Sequence, residues 1–154
     1  MTSRLRFCVR RSPVLASEGE TVTVALTLPS DVDCIEEAVA LVTRHCLAGE
    51  PIREHFQFRL QVALAEALAN AILRGNREDS RKSVDVRAVL LPDLIRIHVT
   101  DEGSGFDPSA IPEPLCADGI ARPGGRGIFL IRRLVDSVEF NEQGNSICMT
   151  LRRP

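Results

Sequence analysis

Tryptophan and tyrosine are absent from the 154 residues and phenylalanine occurs only six times, so a surface reading bases or sugars by aromatic stacking has little to be built from. Lysine is nearly missing too: of 19 basic residues all are arginine except Lys82, which lies in a polar, turn-like stretch. No G-x-x-x-x-G-K-[ST] occurs, which excludes a phosphate loop of that type. The five cysteines, Cys8, Cys34, Cys46, Cys116 and Cys148, show no C-x-x-C spacing, and the three histidines form no H-x-x-x-H or H-E-x-x-H pattern. A zinc site is thereby disfavoured, and the scattered, odd set of thiols reads as reduced and core-filling, in a cytoplasmic protein. No apolar run approaches 18 residues, and the basic first 17 residues, interrupted by Pro13, lack a signal-peptide core, so neither membrane spanning nor secretion is expected.

What is present is an ordinary globular balance: 44% apolar, 26% charged and a net charge of −2, which fits neither a disordered acidic tail nor a basic nucleic-acid arm. The length suits one domain over 1–154, with a core of about 20–152 and an N-terminal extension of 1–19. Thr21 to Leu28 alternates as a half-buried strand does. From Asp31 to about Ala48 apolar residues recur at helical spacing, and Gly49 follows as a stop. A second helix is predicted from about Arg53 to Arg74, with Gly75 as its left-handed cap. Ser83 to Leu91 and Leu94 to Thr100 read as a strand pair, Arg126 to Asp136 as a helix, and Val138 to Asn141 and Ser146 to Leu151 as two closing strands. This order implies a two-layer α/β (α+β) sandwich, its helices on one face of a mixed, mostly antiparallel sheet. Between Asp101 and Gly125, Pro108, Pro112, Pro114 and Pro123 leave no period, as in a lid or binding loop.

Three segments could carry chemistry. In Val62 to Leu73 ten of twelve residues are apolar, and the exceptions, Glu66 and Asn70, are four apart and share one face. They form either the solvent stripe of a core helix, joined by a local hydrogen bond, or the polar lining of a cavity. Asp101-Glu102-Gly103-Ser104-Gly105 follows a strand directly, and its alternate glycines either make a plain turn or admit a flat ligand close to the backbone. Gly124-Gly125-Arg126-Gly127 opens a helix, where free N–H groups and the helix dipole favour an anion unless the glycines are only a hinge.

In this order the segments resemble the nucleotide-binding boxes of the ATPase superfamily of gyrase B, MutL and the sensor histidine kinases, whose domain has the Bergerat-type fold. Within it, Glu66-Ala-Leu-Ala-Asn70-Ala-Ile-Leu-Arg-Gly75-Asn76, Asp101-Glu-Gly-Ser-Gly105-Phe106-Asp107 and Gly125-Arg-Gly-Ile-Phe-Leu-Ile131-Arg-Arg-Leu-Val-Asp136 resemble the anti-sigma-factor serine kinases most closely. The resemblance implies ATP and Mg2+ as cofactors, with Asn70 as metal ligand and Glu66 as general base toward a substrate serine. It further implies that Asp101 accepts from the adenine amino group, that Gly103 and Gly105 make room for the ring, and that Gly125, Arg126 and Gly127 hold the phosphates. Where a G-T-T-like turn is expected, Gly144-Asn145-Ser146 stands instead, and Ser146 is taken to supply the adenine-side hydroxyl. Glu102 and Asp107 are read as solvent-facing. The partners implied are an anti-anti-sigma factor as protein substrate, a sigma factor and a second copy in a homodimer, with no direct nucleic acid and no membrane. A sensor histidine kinase fragment would need an acceptor histidine on a helical hairpin, and His55 has no such context. A gyrase-like or chaperone-like ATPase would need a transducer domain, which is not expected after residue 154. A nucleotide-binding regulatory module without phosphate transfer is the remaining alternative.

Overall fold

A computed structural model describes residues 4–13, 20–51, 53–107 and 126–154; the expected lid from 108 through Gly125, with Cys116, lies outside the described residues. Six strands form one sheet in the order β1-β2-β3-β4-β6-β5, made of β1 (Arg6–Pro13), β2 (Glu20–Pro29), β3 (Ser83–Leu90), β4 (Leu94–Thr100), β5 (Ser137–Phe140) and β6 (Ser146–Arg152). Every neighbouring pair is antiparallel among the described residues, so the expected mixed, mostly antiparallel sheet takes its antiparallel form. Three helices, α1 (Ile35–Cys46), α2 (Glu54–Asn70) and α3 (Arg126–Leu134), complete the second layer, and α1 is entered through a short 3-10 turn, Val32–Cys34, capped by Asp31. No helix among the described residues is long and apolar enough to cross a membrane.

The period-two pattern explains why the helices lie on one side. Val24, Leu26 and Leu28, then Val84, Val86 and Ala88, then Ile95, Ile97 and Val99, then Ile147, Met149 and Leu151 are buried, and the registers place them on a common face. Against that face lie Ala38, Val42 and Cys46 of α1 and Leu60, Leu64, Leu68 and Ile72 of α2 and its continuation. Gly49, at φ +79°, ends the first helix in the left-handed conformation where a Cβ would be strained.

The segment expected to be an N-terminal extension contains β1, which pairs with β2 along its whole length from Arg6↔Thr27 to Pro13↔Glu20. Its alternation is faint because it is an edge strand: Phe7 packs against the core and meets the His45 ring at 4.4 Å, while its arginines are exposed. Arg4, just before it, donates to the Asp31 carboxylate at 2.6 Å and to Cys34 Sγ at 3.2 Å, fastening the chain start to the entry of α1.

The described thiols are not uniformly core-filling: Cys34 and Cys46 are buried, but Cys8 is exposed and Cys148 is half-buried on the sheet face turned away from the helices, with Sγ 3.6 Å from His98 Nε2. Burial pushes the Cys46 thiol up to about 12, slightly opposed by the charge of Arg153. A thiol in the unfolded chain ionises near ~8.5, so above that pH the unfolded state sheds a proton that the folded state keeps. Stability should therefore fall with rising pH across that window, by up to ~1.4 kcal/mol per unit from this group. Urea denaturation from pH 8 to 11 should show a shallower loss in Cys46→Val than in the wild type; parallel curves would remove Cys46 as the cause.

Candidate nucleotide site

The buried face of α2 comprises Ala63, Leu64, Ala67 and Leu68, and its neighbouring stripe carries Glu66 and Asn70, both half-buried. That stripe faces α3. A Cβ added to Gly127, in the first turn of α3, would stand 2.9 Å from Asn70 Nδ2 and 3.0 Å from Glu66 Oε2. The two polar side chains thus meet the bare backbone of a helix start, a place where anionic groups are favoured, and the crevice is the junction of α2, α3 and the segment after β4. The local Glu66–Asn70 hydrogen bond considered from sequence is not formed among the described residues. Asn70 offers an oxygen donor there, as a hard cation requires, and no group of three or more His, Cys, Asp or Glu among the described residues could hold a metal ion. A magnesium ion at Asn70 would accordingly need ligand oxygens from nucleotide phosphates.

Directly after Asn70 the helix widens into a π turn, Ala71–Gly75, closed by Asn76 N–H donating to the Ala71 carbonyl at 2.8 Å. The expected left-handed cap at Gly75 is corrected. The left-handed residues are Arg77 (φ 52°) and Glu78 (φ 55°), and Glu78 N–H closes the helix end onto the Ile72 carbonyl at 2.8 Å. Two consecutive non-glycine residues in that region cost roughly 1–2 kcal/mol each. Gly75 lacks a side chain for another reason: a Cβ there would overlap the Asp101 carboxylate, its Oδ1 2.6 Å away.

Asp101 stands one residue beyond β4, with its carboxylate against Gly75. Its N–H donates to the Asn145 carbonyl at 2.9 Å, its own carbonyl accepts from Asn145 Nδ2 at 3.1 Å, and its Oδ1 accepts from the Gly103 N–H at 2.8 Å. Burial raises the Asp101 carboxyl above its ordinary range, while the Gly103 N–H and the Lys82 charge oppose that rise. Gly103 packs on the Gly75 backbone, where an added Cβ would lie 2.7 Å from the carbonyl carbon. Gly105 (φ +80°) rests on the Gln143 carbonyl and Gly144 (φ +75°) on the backbone of Phe106, so the glycines of this loop serve backbone-to-backbone contact. The Phe106 ring meets Phe140 edge-on at 5.3 Å.

The fold thus brings Glu66, Asn70 and Gly127 together at the start of the π turn and Asp101 and Gly103 against Gly75 at its end, while Gly105 rests on the Gln143 backbone. Gly125 and the Arg126 side chain lie outside the described residues. Ser146 is not brought in: its hydroxyl is 2.7 Å from Thr100 Oγ1, on the sheet face turned away from the helices. Strand alternation puts Asn145 beside Asp101 instead, one residue from the position expected for the hydroxyl. Glu102 is exposed but not free, since its carboxylate accepts from Ser83 N–H and Oγ.

Sequence reasoning assigned no role to Asn76 or Asn145. Both sit in turns, where no periodicity signals burial, and only the departure at Gly144-Asn145-Ser146 pointed to the second.

Residues 28–151 match the histidine kinase-like ATPase domain. The chain belongs to this family. It is 25% identical to the serine-protein kinase RsbW of Listeria monocytogenes, over 82% of this chain and 85% of that protein. It is 30% identical to the serine-protein kinase RsbW of Oceanobacillus iheyensis, over 66% of this chain and 71% of the relative. The RsbW of Bacillus subtilis is 30% identical over 59% of this chain and 61% of its own length.

Proposed function

We propose that this chain is a cytoplasmic protein-serine kinase that binds ATP with Mg2+ in the crevice and acts as an anti-sigma regulatory factor. The observation that carries the reading is the approach of Gly127 to both Glu66 and Asn70, 3.0 and 2.9 Å from a Cβ placed there. It sets one carboxylate and one metal-competent amide oxygen at a helix start able to receive phosphates, with the Asp101 carboxylate at the opposite end.

In this reading Asp101 accepts from the adenine amino group, Gly103 and Gly105 let the loop pack on the Gly75 and Gln143 backbones and so hold Asp101 toward the ring, and Gly125 with Arg126 and Gly127 wraps the phosphates. Asn70 would hold the Mg2+, which when bound would supply charge neutralisation at the phosphates. Glu66 takes the proton of a substrate serine hydroxyl as that oxygen approaches, the role a positioned carboxylate performs in general-base catalysis. The serine belongs to an anti-anti-sigma protein. Phosphorylation adds about −1.5 to −2 charges, enough to repel that protein from its docking surface. Release of the antagonist then frees the kinase, which works as a homodimer, to hold a sigma factor. Support comes from the RsbW relatives, which are serine-protein kinases by name, and from the crevice geometry.

The test is transfer from ATP labelled at the terminal phosphate, with Mg2+, to a candidate anti-anti-sigma protein. Labelled phosphoserine is expected. ATP binding without label in any antagonist, together with sequestration of a sigma factor, would replace the kinase by a nucleotide-gated binding module.

A further inference from the structure

Asn76 is polar, only 1% exposed, and joined to more separate parts of the chain than any other side chain of the crevice. Its Nδ2 donates to Ser30 Oγ at 2.8 Å and to the Ser83 carbonyl at 2.9 Å, using both hydrogens; its Oδ1 accepts from the Glu102 N–H at 2.8 Å. The orientation of the carboxamide is fixed by these partners, because a carbonyl cannot donate and an N–H cannot accept. Ser30 passes the link on, donating to the Lys82 carbonyl at 2.9 Å. One side chain therefore ties the ends of β2 and β3 and the residue after Asp101 to the π turn that continues the Glu66–Asn70 helix.

We propose that Asn76 is a positioning residue for adenine recognition: it fixes the peptide between Asp101 and Glu102, and through it the Asp101 carboxylate against Gly75. The inference rests on the nucleotide-site reading above and adds a residue to it. The peptide is held from both sides, by Asn76 at the Glu102 N–H and by Asn145 at the Asp101 carbonyl. The π turn and the left-handed pair at Arg77 and Glu78 shape the helix end around Asn76. Strain of that kind persists where the surroundings over-determine it. The phosphate end has no bond to Asn76: Asn70 and Gly127 lie at the other end of the π turn. Losing the carboxamide should consequently blur the reading of the base and spare the hold on phosphates.

The experiment measures ATP and GTP affinities in the presence of Mg2+ for the wild type, Asn76→Ala and Ser30→Ala. Asn76→Ala should weaken ATP at least tenfold, leave GTP within about twofold, and so collapse the preference for adenine. Ser30→Ala breaks the same network but keeps the bond to Glu102; it should lower the unfolding temperature while retaining the preference. Should Asn76→Ala not fold, Asn76→Ser keeps a polar group in the buried site without the reach to Glu102, and the same loss of preference is expected. Equal weakening of ATP and GTP would show a merely structural role and overturn the inference, as would an unchanged ATP affinity or a wild type with no preference between the two. A wild type binding neither nucleotide would instead bring down the nucleotide-site reading itself.

Discussion

Glu66→Gln should bind ATP as tightly as the wild type and transfer its phosphate roughly 10²–10⁴ times more slowly, the usual contribution of a positioned general base. The substitution keeps the shape of the side chain but removes its negative charge and with it the capacity to take a proton, and Glu66 sits too far along α2 from Asp101 to touch the base. A fall in kcat with KM for ATP unchanged is the signature of an interaction made in the transition state alone. The control is Asn70→Ala, which should lose Mg2+-dependent nucleotide binding as well, because its oxygen is the proposed metal ligand. Thermal unfolding must be matched among the variants, since Gly127 leaves little slack: its missing Cβ would stand 3.0 Å from Glu66 Oε2. Transfer at the wild-type rate in Glu66→Gln would take Glu66 out of the chemistry.

Gly103→Ala should be nearly as damaging at the other end of the crevice. The added Cβ would lie 2.7 Å from the Gly75 carbonyl carbon and 2.8 Å from Asp101 Oδ1, and neither a π turn nor a carboxylate already bonded to the Gly103 N–H can retreat cheaply. Overpacking of this kind typically costs about 1–3 kcal/mol. If that strain is relieved by moving Asp101 off Gly75, ATP affinity drops at least tenfold, a change equivalent to about 1.4 kcal/mol. Gly49→Ala provides the comparison, for it faces open space and is strained only by its φ of +79°. It should be destabilised, by roughly 1–2 kcal/mol, and bind nucleotide normally. Calorimetry showing full ATP affinity in Gly103→Ala would mean that Gly75 and Asp101 do not form a fixed wall.

Much of this site was legible before any fold was known, and the reasons are specific. Glu66 and Asn70 stand out because they interrupt an apolar helix at a spacing that puts them on one face. Asp101 stands out because it ends a strand of clear alternation. The hairpin of β3 and β4 and the limits of α1 follow from periodicity and from Gly49. Other features left no such trace. β1 is an edge strand whose arginines conceal its pairing, and the role of Gly75 depends on a carboxylate 26 positions later. A π turn shifts the helix by one residue without any change in composition, so the left-handed conformation fell at Arg77 and Glu78 and not at the glycine. The choice of Asn145 over Ser146 is a matter of strand parity, settled by the register Thr100↔Ser146.

The strand order also governs when the site can exist. β6 lies between β4 and β5, so the residue that holds the Asp101 backbone, Asn145, arrives only when a strand beginning at Ser146 has paired with one ending at Thr100. β2 and β3, likewise, are neighbours in the sheet although both α1 and α2 lie between them in the chain. Pairings of such long sequence separation form late, because their loop-closure entropy must be met before the contacts give any return. A chain emerging from the ribosome can make α1 and α2 early, but it cannot present both ends of the crevice until β6 has been synthesised and docked. Nucleotide can then select and stabilise the finished domain by mass action, though it cannot template the domain's assembly. Occupancy by ATP would in that sense report that β6 has been made and docked.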